Sequence, residues 1–161
     1  MSGIEGKTAV VTGGYGVLCS VLAKTLAEDG ARVVILGRSP DKARKAAEEI
    51  EKKGGQALGI GADVLDRASL LEARDRILNK FGTVDILING AGGNKPEATA
   101  SDSNSFFGMS EEALRWVFDL NLMGTITATQ IFGETMAEKG SGCIINISSM
   151  AAMRPLTRTV A

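Results

Sequence analysis

Glycines near the N-terminus have the spacing of a phosphate-binding turn. The apolar run Thr8–Thr12 is followed by Gly13, Gly14 and Gly16, and an amphipathic segment begins directly afterwards. This order predicts a strand, a tight turn and a helix whose N-terminus faces the turn. The unpaired amides and the dipole of such a helix end attract an anion, and glycines let the backbone approach a diphosphate closely. The alternative is a tight β–α turn that binds nothing.

Composition narrows the classes of function. The 161 residues form one domain, 1–161, with 44% hydrophobic residues and a net charge of −1, so neither nucleic acid nor a membrane is expected as a partner. The chain contains no histidine, which excludes a Ser-His-Asp triad and a His-ligated zinc, and we expect no metal site. Cys19 and Cys143 are interpreted as small buried residues of a reducing, cytoplasmic protein.

Apolar runs alternate with helical patterns along the chain. Strands buried on both faces are predicted at Thr8–Thr12, Arg32–Gly37, Ala57–Gly61, Asp85–Asn89 and Cys143–Ser148. This β-α-β alternation predicts an α/β fold with a doubly wound parallel sheet and helices on both faces. The long polar loop 92–109 follows the fourth strand at the sheet edge where ligands of such folds bind.

Four helices are expected between these strands. The first has a face made of Leu18, Val21, Leu22, Thr25 and Leu26. The second is a charged surface helix from Asp41 to Lys53, and the third runs to Phe81 with Asp66 or Ser69 as its N-cap. The last begins near Ser110 and continues through Asn121 toward Lys139.

Polar residues follow the carboxyl ends of several strands. Arg38 follows the second strand, where its guanidinium could hold a ribose 2′-phosphate or lie in solvent. Asp63 follows the third strand and could simply begin a turn. Ser148 and Ser149 end the fifth strand, and without a neighbouring base a hydrogen-bonding role suits them better than a nucleophilic one.

These motifs resemble those of short-chain dehydrogenases/reductases from Lys7 to Pro155. Within that superfamily, the loop Asn89–Pro96 and the turn Gly14–Cys19 resemble the D-mannonate oxidoreductase (fructuronate reductase) branch. The sequence departs from the family pattern where Val17 and Cys19 replace the later glycines of the turn. Gly90 likewise replaces the second asparagine of the Asn-Asn-Ala-Gly pattern. We interpret Cys19 as a packing residue rather than a redox group.

The resemblance implies a Rossmann-like sheet in the order 3-2-1-4-5, with the last strands missing, and hydride transfer between NADP, or NAD, and a sugar acid. It implies that Ser149 bonds the substrate carbonyl and Asn121 supports a proton relay. Asp63 would meet the adenine and Val64 would flank it. The cofactor-binding residues so implied are Thr12, Gly13, Tyr15, Gly16, Val17, Leu18, Arg38, Asp63, Val64, Asn89, Ala91 and Gly92. Family members pair through the helix containing Asn121, which predicts a homodimer or homotetramer.

The family's catalytic tyrosine would fall one position past Ala161, with a lysine four residues later. Tyr15 is the only tyrosine and lies in the turn, so we expect a longer protein. A non-catalytic dinucleotide-binding protein, or an inactive truncated product, is the alternative. A 3-oxoacyl or other small ketone is an alternative substrate, and a methyltransferase-like domain is disfavoured by Arg38. Lys95 in the long loop could attract a carboxylate or lie in solvent.

Overall fold

The computed structural model of the protein describes residues 3–150 and 153. This part of the chain forms one parallel sheet in the order β3-β2-β1-β4-β5, which confirms the expected Rossmann-like α/β fold. The strands span Thr8–Thr12 (β1), Arg32–Gly37 (β2), Gln56–Gly61 (β3), Ile86–Asn89 (β4) and Cys143–Asn146 (β5). Three ends differ from the prediction by one or two residues: β3 and β4 at their starts and β5 at its end, as frayed element ends commonly do.

Three of the five described helices begin at a residue whose side chain caps them. The helices span Val17–Glu28 (α1), Pro40–Glu51 (α2), Arg67–Phe81 (α3), Glu111–Phe118 (α4) and Gly124–Lys139 (α5). Asp66 caps α3 by accepting hydrogen bonds from the amides of Ala68 and Ser69 at 3.0 and 3.4 Å. Gly82 ends α3 with a φ of 77°, which favours glycine. Among the described residues, no helix has the length and apolar character to cross a bilayer.

Alternate side chains of the sheet pack into two separate cores. Ala9 and Val11 of β1 contact the layer of α1 and α2, whereas Val10 contacts the layer of α3 and α5. All five residues of β1 are buried, which explains why the central strand is an uninterrupted apolar run. The packing places the carboxyl ends of the strands together at one edge.

Strand β5 does not fit the expectation of burial on both faces. Cys143 and Ile145 are exposed, so the prediction that Cys143 is a buried cysteine is wrong. Both pair with β4 residues whose side chains face the α1 and α2 layer. In the described structure β5 is an edge strand that packs chiefly against β4 and α5, and all four of its residues are exposed.

The apolar face predicted for α1 is also partly wrong. Leu18 and Val21 are 57% and 60% exposed, and Thr25 is exposed. The helix rests on the sheet through Cys19, Ala23 and Ala27, which are all buried. Small side chains allow the helix to lie close to the strands, and Leu22 and Leu26 are only partly buried beside them.

The last predicted helix is divided by a π-helical segment, Asp119–Met123. The helix begins beside Ser110 as expected, and Ser110 caps it, since its hydroxyl accepts a hydrogen bond from the amide of Ala113 at 3.3 Å. Within the π segment, the carbonyl of Asn121 accepts a hydrogen bond from the hydroxyl of Thr125 at 2.9 Å. π segments inside helices are rare and frequent at functional sites.

Candidate functional site

A cleft of about 220 Å³ lies at the carboxyl ends of the strands. It brings together eight of the residues singled out from the sequence, namely Gly13, Tyr15, Gly16, Arg38, Asp63, Val64, Ala91 and Gly92. Gly37, Ala62, Gly90 and Leu120 complete its wall. Among these four, Ala62 and Leu120 were not singled out from the sequence, although they directly precede Asp63 and Asn121. A second cavity of about 270 Å³ between α1 and α2 lies outside this edge and holds none of the predicted residues.

The Thr12 side chain links the end of β1 to the loop after β4 by hydrogen bonds. Its hydroxyl accepts hydrogen bonds from the amides of Gly90 and Ala91, both at 3.1 Å. Gly13 has a φ of +65°, and a Cβ there would lie 2.8 Å from the carbonyl oxygen of Gly90. Only glycine therefore fits this close approach, and the structure gives Thr12 a positioning role.

The N-terminus of α1 is open and uncapped. Gly16 is its N-cap without a side-chain hydrogen bond, and the first turn contains no acidic residue. The first intrahelical bond runs from Ser20 to the carbonyl of Gly16, so the preceding amides have no acceptor within the helix. Val17 is 92% exposed at this point. Backbone amides with this geometry suit an anionic diphosphate.

Two of the three departures from the family pattern, Cys19 and Gly90, lie against each other. A Cβ on Gly90 would lie 2.1 Å from Sγ of Cys19. The thiol thus fills the volume that a side chain at position 90 would need. Burial raises the pKa of the Cys19 thiol, which keeps it protonated and supports its interpretation as a packing residue.

Tyr15, Gly37 and Arg38 form the end of the cleft beside β2. The Tyr15 hydroxyl accepts a hydrogen bond from the amide of Ser39 at 3.1 Å. Its ring lies over Gly37, where a Cβ would come within 2.3 Å of Cε1. Arg38 is exposed and lines the same end.

Asp63 and Val64 line the cleft after β3. The Asp63 carboxylate accepts a hydrogen bond from the amide of Leu65 at 3.0 Å. The amide of Asp63 donates to the hydroxyl of Ser69 at 3.3 Å, which ties this turn to α3. A Cβ on Gly124 would lie 2.7 Å from the Val64 side chain, so the start of α5 packs directly against Val64.

Asn89 is buried behind the cleft rather than in its wall. Its amide donates to the hydroxyl of Thr129 at 3.0 Å and to the side chain of Asn146 at 2.9 Å. These bonds join β4 to α5 and β5. Asn89 Oδ1 is buried and has no hydrogen-bond partner among the described residues.

The Asn121 side chain forms hydrogen bonds with the loop after β4. Its side-chain oxygen accepts from the amide of Gly93 at 3.1 Å, and its side-chain nitrogen donates to the carbonyls of Gly93 and Val117 at 2.7 and 2.8 Å. A Cβ on Gly92 would lie 2.7 Å from the same oxygen. The π segment thereby presents an amide that holds the loop against the helix.

Ser149 lies exposed beyond β5, at the same edge of the sheet as the cleft but outside its wall. The amide of Ile147 donates to the carbonyl of Asn89 at 3.0 Å, which continues the pairing of the two strands toward the serines. No cluster of metal-ligating side chains is present in the described part of the chain.

The long loop is ordered by its own side chains. Asn104 donates to the carbonyls of Pro96, Glu97 and Thr99 at 3.4, 3.2 and 3.0 Å. The ammonium of Lys95 lies 4.6 Å from the centre of the Trp116 ring, a cation–π contact that joins the loop to α4. Lys95 is therefore held rather than freely solvated.

The profile of the short chain dehydrogenase family matches residues 7–161. The chain belongs to this family. It is 46% identical to an uncharacterized oxidoreductase, UxuB, of Bacillus subtilis (strain 168), with 98% of the chain and 60% of that protein covered. It is 33% identical to the 7alpha-hydroxysteroid dehydrogenase of Escherichia coli (strain K12), with 92% of the chain and 55% of that protein covered.

A solved member of the family has the same fold. The crystal structure of a provisionally named D-mannonate oxidoreductase from Haemophilus influenza, with bound NAD, superimposes with a TM-score of 0.90 at 41% identity. The match covers 97% of this chain and 59% of that one. The chain thus spans about 60% of the length of these relatives.

Proposed function

We propose that the whole protein is an NAD(P)-dependent oxidoreductase that transfers hydride between a nicotinamide and a ketone or secondary alcohol. The observation that carries this proposal is the cleft, in which the turn after β1 meets the ends of β2, β3 and β4. A side chain at Gly13 would collide with the backbone of the loop after β4, so this glycine keeps the two walls of the cleft together, and the first turn of α1 offers unpaired amides to a diphosphate. The described residues therefore fit a dinucleotide.

The chemistry requires few groups from the described residues. The nicotinamide, when bound, supplies or accepts the hydride. We propose that the Ser149 hydroxyl donates a hydrogen bond to the substrate oxygen, and that Asn121 supports the proton path while it holds the loop at Gly93. Tyr15 lies at the end of the cleft beside β2, on the opposite side of β1 from β5 and the serines that follow it, so we propose that the proton donor is a different residue.

The proposed substrate is a sugar acid of the D-mannonate/D-fructuronate type. The resemblance of the loop after β4 supports it, as does the likeness to the Haemophilus influenza structure. A hydroxysteroid dehydrogenase at 33% identity makes other ketones the alternative. For the cofactor we propose NADP, with NAD as the alternative that the NAD-bound neighbour supports. Arg38 at the end of β2 favours the 2′-phosphate.

We also propose a homodimer or homotetramer that pairs through the long helix. Phe118, Leu122 and Ile126 are 56%, 54% and 39% exposed and recur every four residues across the π segment. Exposed large apolar side chains that recur along one helix are typical of a protein–protein interface. We propose a cytoplasmic location, for which the free thiols of Cys19 and Cys143 are the support.

The test of the proposed activity uses the full-length protein with NADPH or NADH. D-Fructuronate, a 3-oxoacyl thioester and a steroid ketone are compared by the loss of reduced-nicotinamide absorbance. We expect Ser149→Ala to lower kcat by about 100-fold, because one hydrogen bond to the reacting oxygen is lost, and to leave the cofactor Kd unchanged. Ser148→Ala is the matched control and should retain activity.

The outcomes separate the alternatives. If NADPH or NADH is oxidised only with non-sugar ketones, the sugar-acid substrate is rejected, but the proposal that the protein is an oxidoreductase stands. Cofactor binding without turnover of any ketone would favour the non-catalytic binding protein. Equal activity of the two serine variants would remove Ser149 from the mechanism.

A further inference from the structure

We propose that the ammonium of Lys95 binds the carboxylate of the sugar-acid substrate and thereby selects acidic over neutral ketoses. This inference rests on the proposed function and names the residue that recognises the acid group of its substrate. Lys95 lies in the loop after β4 and is the one cationic residue of the segment 92–109. Its side chain is half-buried against α4 rather than extended into solvent.

The loop places Lys95 next to the wall of the cleft. Gly92 lines the cleft, and Asn121 bonds to both the amide and the carbonyl of the next residue, Gly93. A Cβ on Gly93 would lie 3.5 Å from the side chain of Leu120, which lines the cleft as well. Lys95 therefore follows closely after a backbone segment that is held against the cleft wall.

Both the backbone and the ammonium of Lys95 are held in place. The Lys95 amide donates to Oδ1 of Asn94 at 2.8 Å, and its carbonyl accepts the hydroxyl of Thr99 at 3.1 Å. The ammonium lies 4.6 Å from the centre of the Trp116 ring, and Trp116 precedes the cleft residue Leu120 by about one helical turn. A lysine that is already fixed loses little conformational entropy when it binds an anion, so the loop preorganises it for a ligand.

The charge of Lys95 has no anionic partner among the described residues. The other described cations that follow β4 in the sequence are paired. Arg115 forms an ion pair with Glu111 at 2.7 Å. Lys139 forms one with Asp85 at the amino edge of the sheet. Lys95 is thus the cation that is left for an anionic ligand on this side of the cleft.

The topology of the sheet places Lys95 on the substrate side of the cleft. In the order β3-β2-β1-β4-β5, the loop after β4 lies beside the end of β5, where Ser149 is proposed to hold the substrate oxygen. Arg38 follows β2, on the other side of β1. In D-fructuronate a chain of hydroxylated carbons separates the carboxylate from the ketone. A cation beside the serine, rather than at it, therefore fits both groups and forms charge-assisted hydrogen bonds to the carboxylate.

The test compares Lys95→Met with the wild-type full-length protein on D-fructuronate and on D-fructose, which has a hydroxymethyl group in place of the carboxylate. We expect the wild type to prefer D-fructuronate. Lys95→Met keeps much of the side chain and removes its charge, so it should raise the KM for D-fructuronate about tenfold or more and change kcat less than about twofold. The kcat/KM for D-fructose and the Kd of the reduced cofactor should stay within about twofold of the wild type.

Lys95→Arg and Lys80→Met are the matched variants. Lys95→Arg retains a cation and should recover most of the preference for D-fructuronate. Lys80 lies 5.3 Å from the centre of the Phe81 ring in a similar contact, but it donates to the carbonyl of Ala57 near the amino end of β3. Lys80→Met should therefore leave the KM unchanged. Added salt should raise the KM for D-fructuronate with the wild type but not with Lys95→Met.

The outcomes distinguish this inference from the proposed function. An unchanged KM for D-fructuronate in Lys95→Met, or an equal loss of activity with D-fructose, would overturn the inference while the proposed oxidoreductase stands. The same holds if the wild type reduces only ketones that carry no carboxylate. A folded wild type that oxidises neither NADPH nor NADH with any ketone would overturn the proposed function, and this inference with it.

Discussion

Residues that depart from a family pattern are informative when they depart together. By the resemblance to the family pattern, Cys19 and Gly90 stand in the places of a glycine and an asparagine, and the two residues are adjacent in the fold. Since a Cβ at Gly90 would lie 2.1 Å from Sγ of Cys19, each of the two residues explains the other.

This pairing predicts non-additive effects on stability. Gly90→Ala should lower the free energy of unfolding by about 1–3 kcal/mol, because the new methyl group collides with the thiol. Cys19→Ala removes the sulfur, so the double variant should be more stable than the sum of the two single changes predicts. Urea unfolding of the four proteins measures the coupling. Additive losses would show that the two side chains do not compete for space.

At the scale of elements, one polar group joins the starts of two strands to the end of a helix. Asp85, just before β4, accepts the amide of Thr8 at 2.8 Å and forms an ion pair with Lys139 at the end of α5. Lys139 also donates to the carbonyl of Val84 at 3.2 Å. The contact lies at the amino edge of the sheet, away from the cleft, so it concerns stability rather than chemistry.

The pKa of Asp85 predicts how stability changes with pH. Burial by itself raises this pKa, but the hydrogen bonds from Lys139 and from the amide of Thr8, with the charge of Lys139, lower it below the ordinary 3.8. The folded state therefore binds the proton more weakly than the unfolded chain. The stabilisation that Asp85 contributes is complete above its pKa in the unfolded chain. It is lost as the pH falls through its lower pKa in the folded protein.

Asp85→Asn is the corresponding variant. It should be less stable than the wild type near neutral pH, since Lys139 then lacks a buried anion. The difference in free energy of unfolding between the two proteins should shrink as the pH falls below the ordinary carboxyl pKa. Urea unfolding at about pH 3 to 7 measures it. Asp75→Asn, at an exposed carboxylate of α3, is a control. A stability difference that stays constant with pH would contradict the assignment.

At the scale of the whole molecule, the exposed apolar residues of the long helix predict assembly. Leu122→Lys should shift the full-length protein toward monomers, because a charge in an apolar interface remains unpaired and desolvated. Light scattering coupled to gel filtration measures the mass. Val21→Lys, at an exposed apolar residue of α1, is the matched control and should keep the wild-type mass. A monomeric wild type would reject the proposed oligomer.

Local sequence determined much of the architecture. β1 and β2 have the predicted ends, the glycine turn after β1 is where the spacing places it, and Asp66 and Ser110 cap their helices. These features depend on interactions within a few residues, such as β-branched runs, caps and turn glycines. These features can therefore be inferred from residues that are neighbours in the sequence.

Contacts between distant segments were decided only by the tertiary structure. The thiol of Cys19 against Gly90, the Tyr15 ring over Gly37 and the clasp of Asn121 on Gly93 each join residues from different elements. The same holds for exposure: periodicity places Leu18 on an apolar face and Cys143 in an apolar strand, but both are exposed. A pattern shows which residues share a face, whereas burial depends on which other element covers that face.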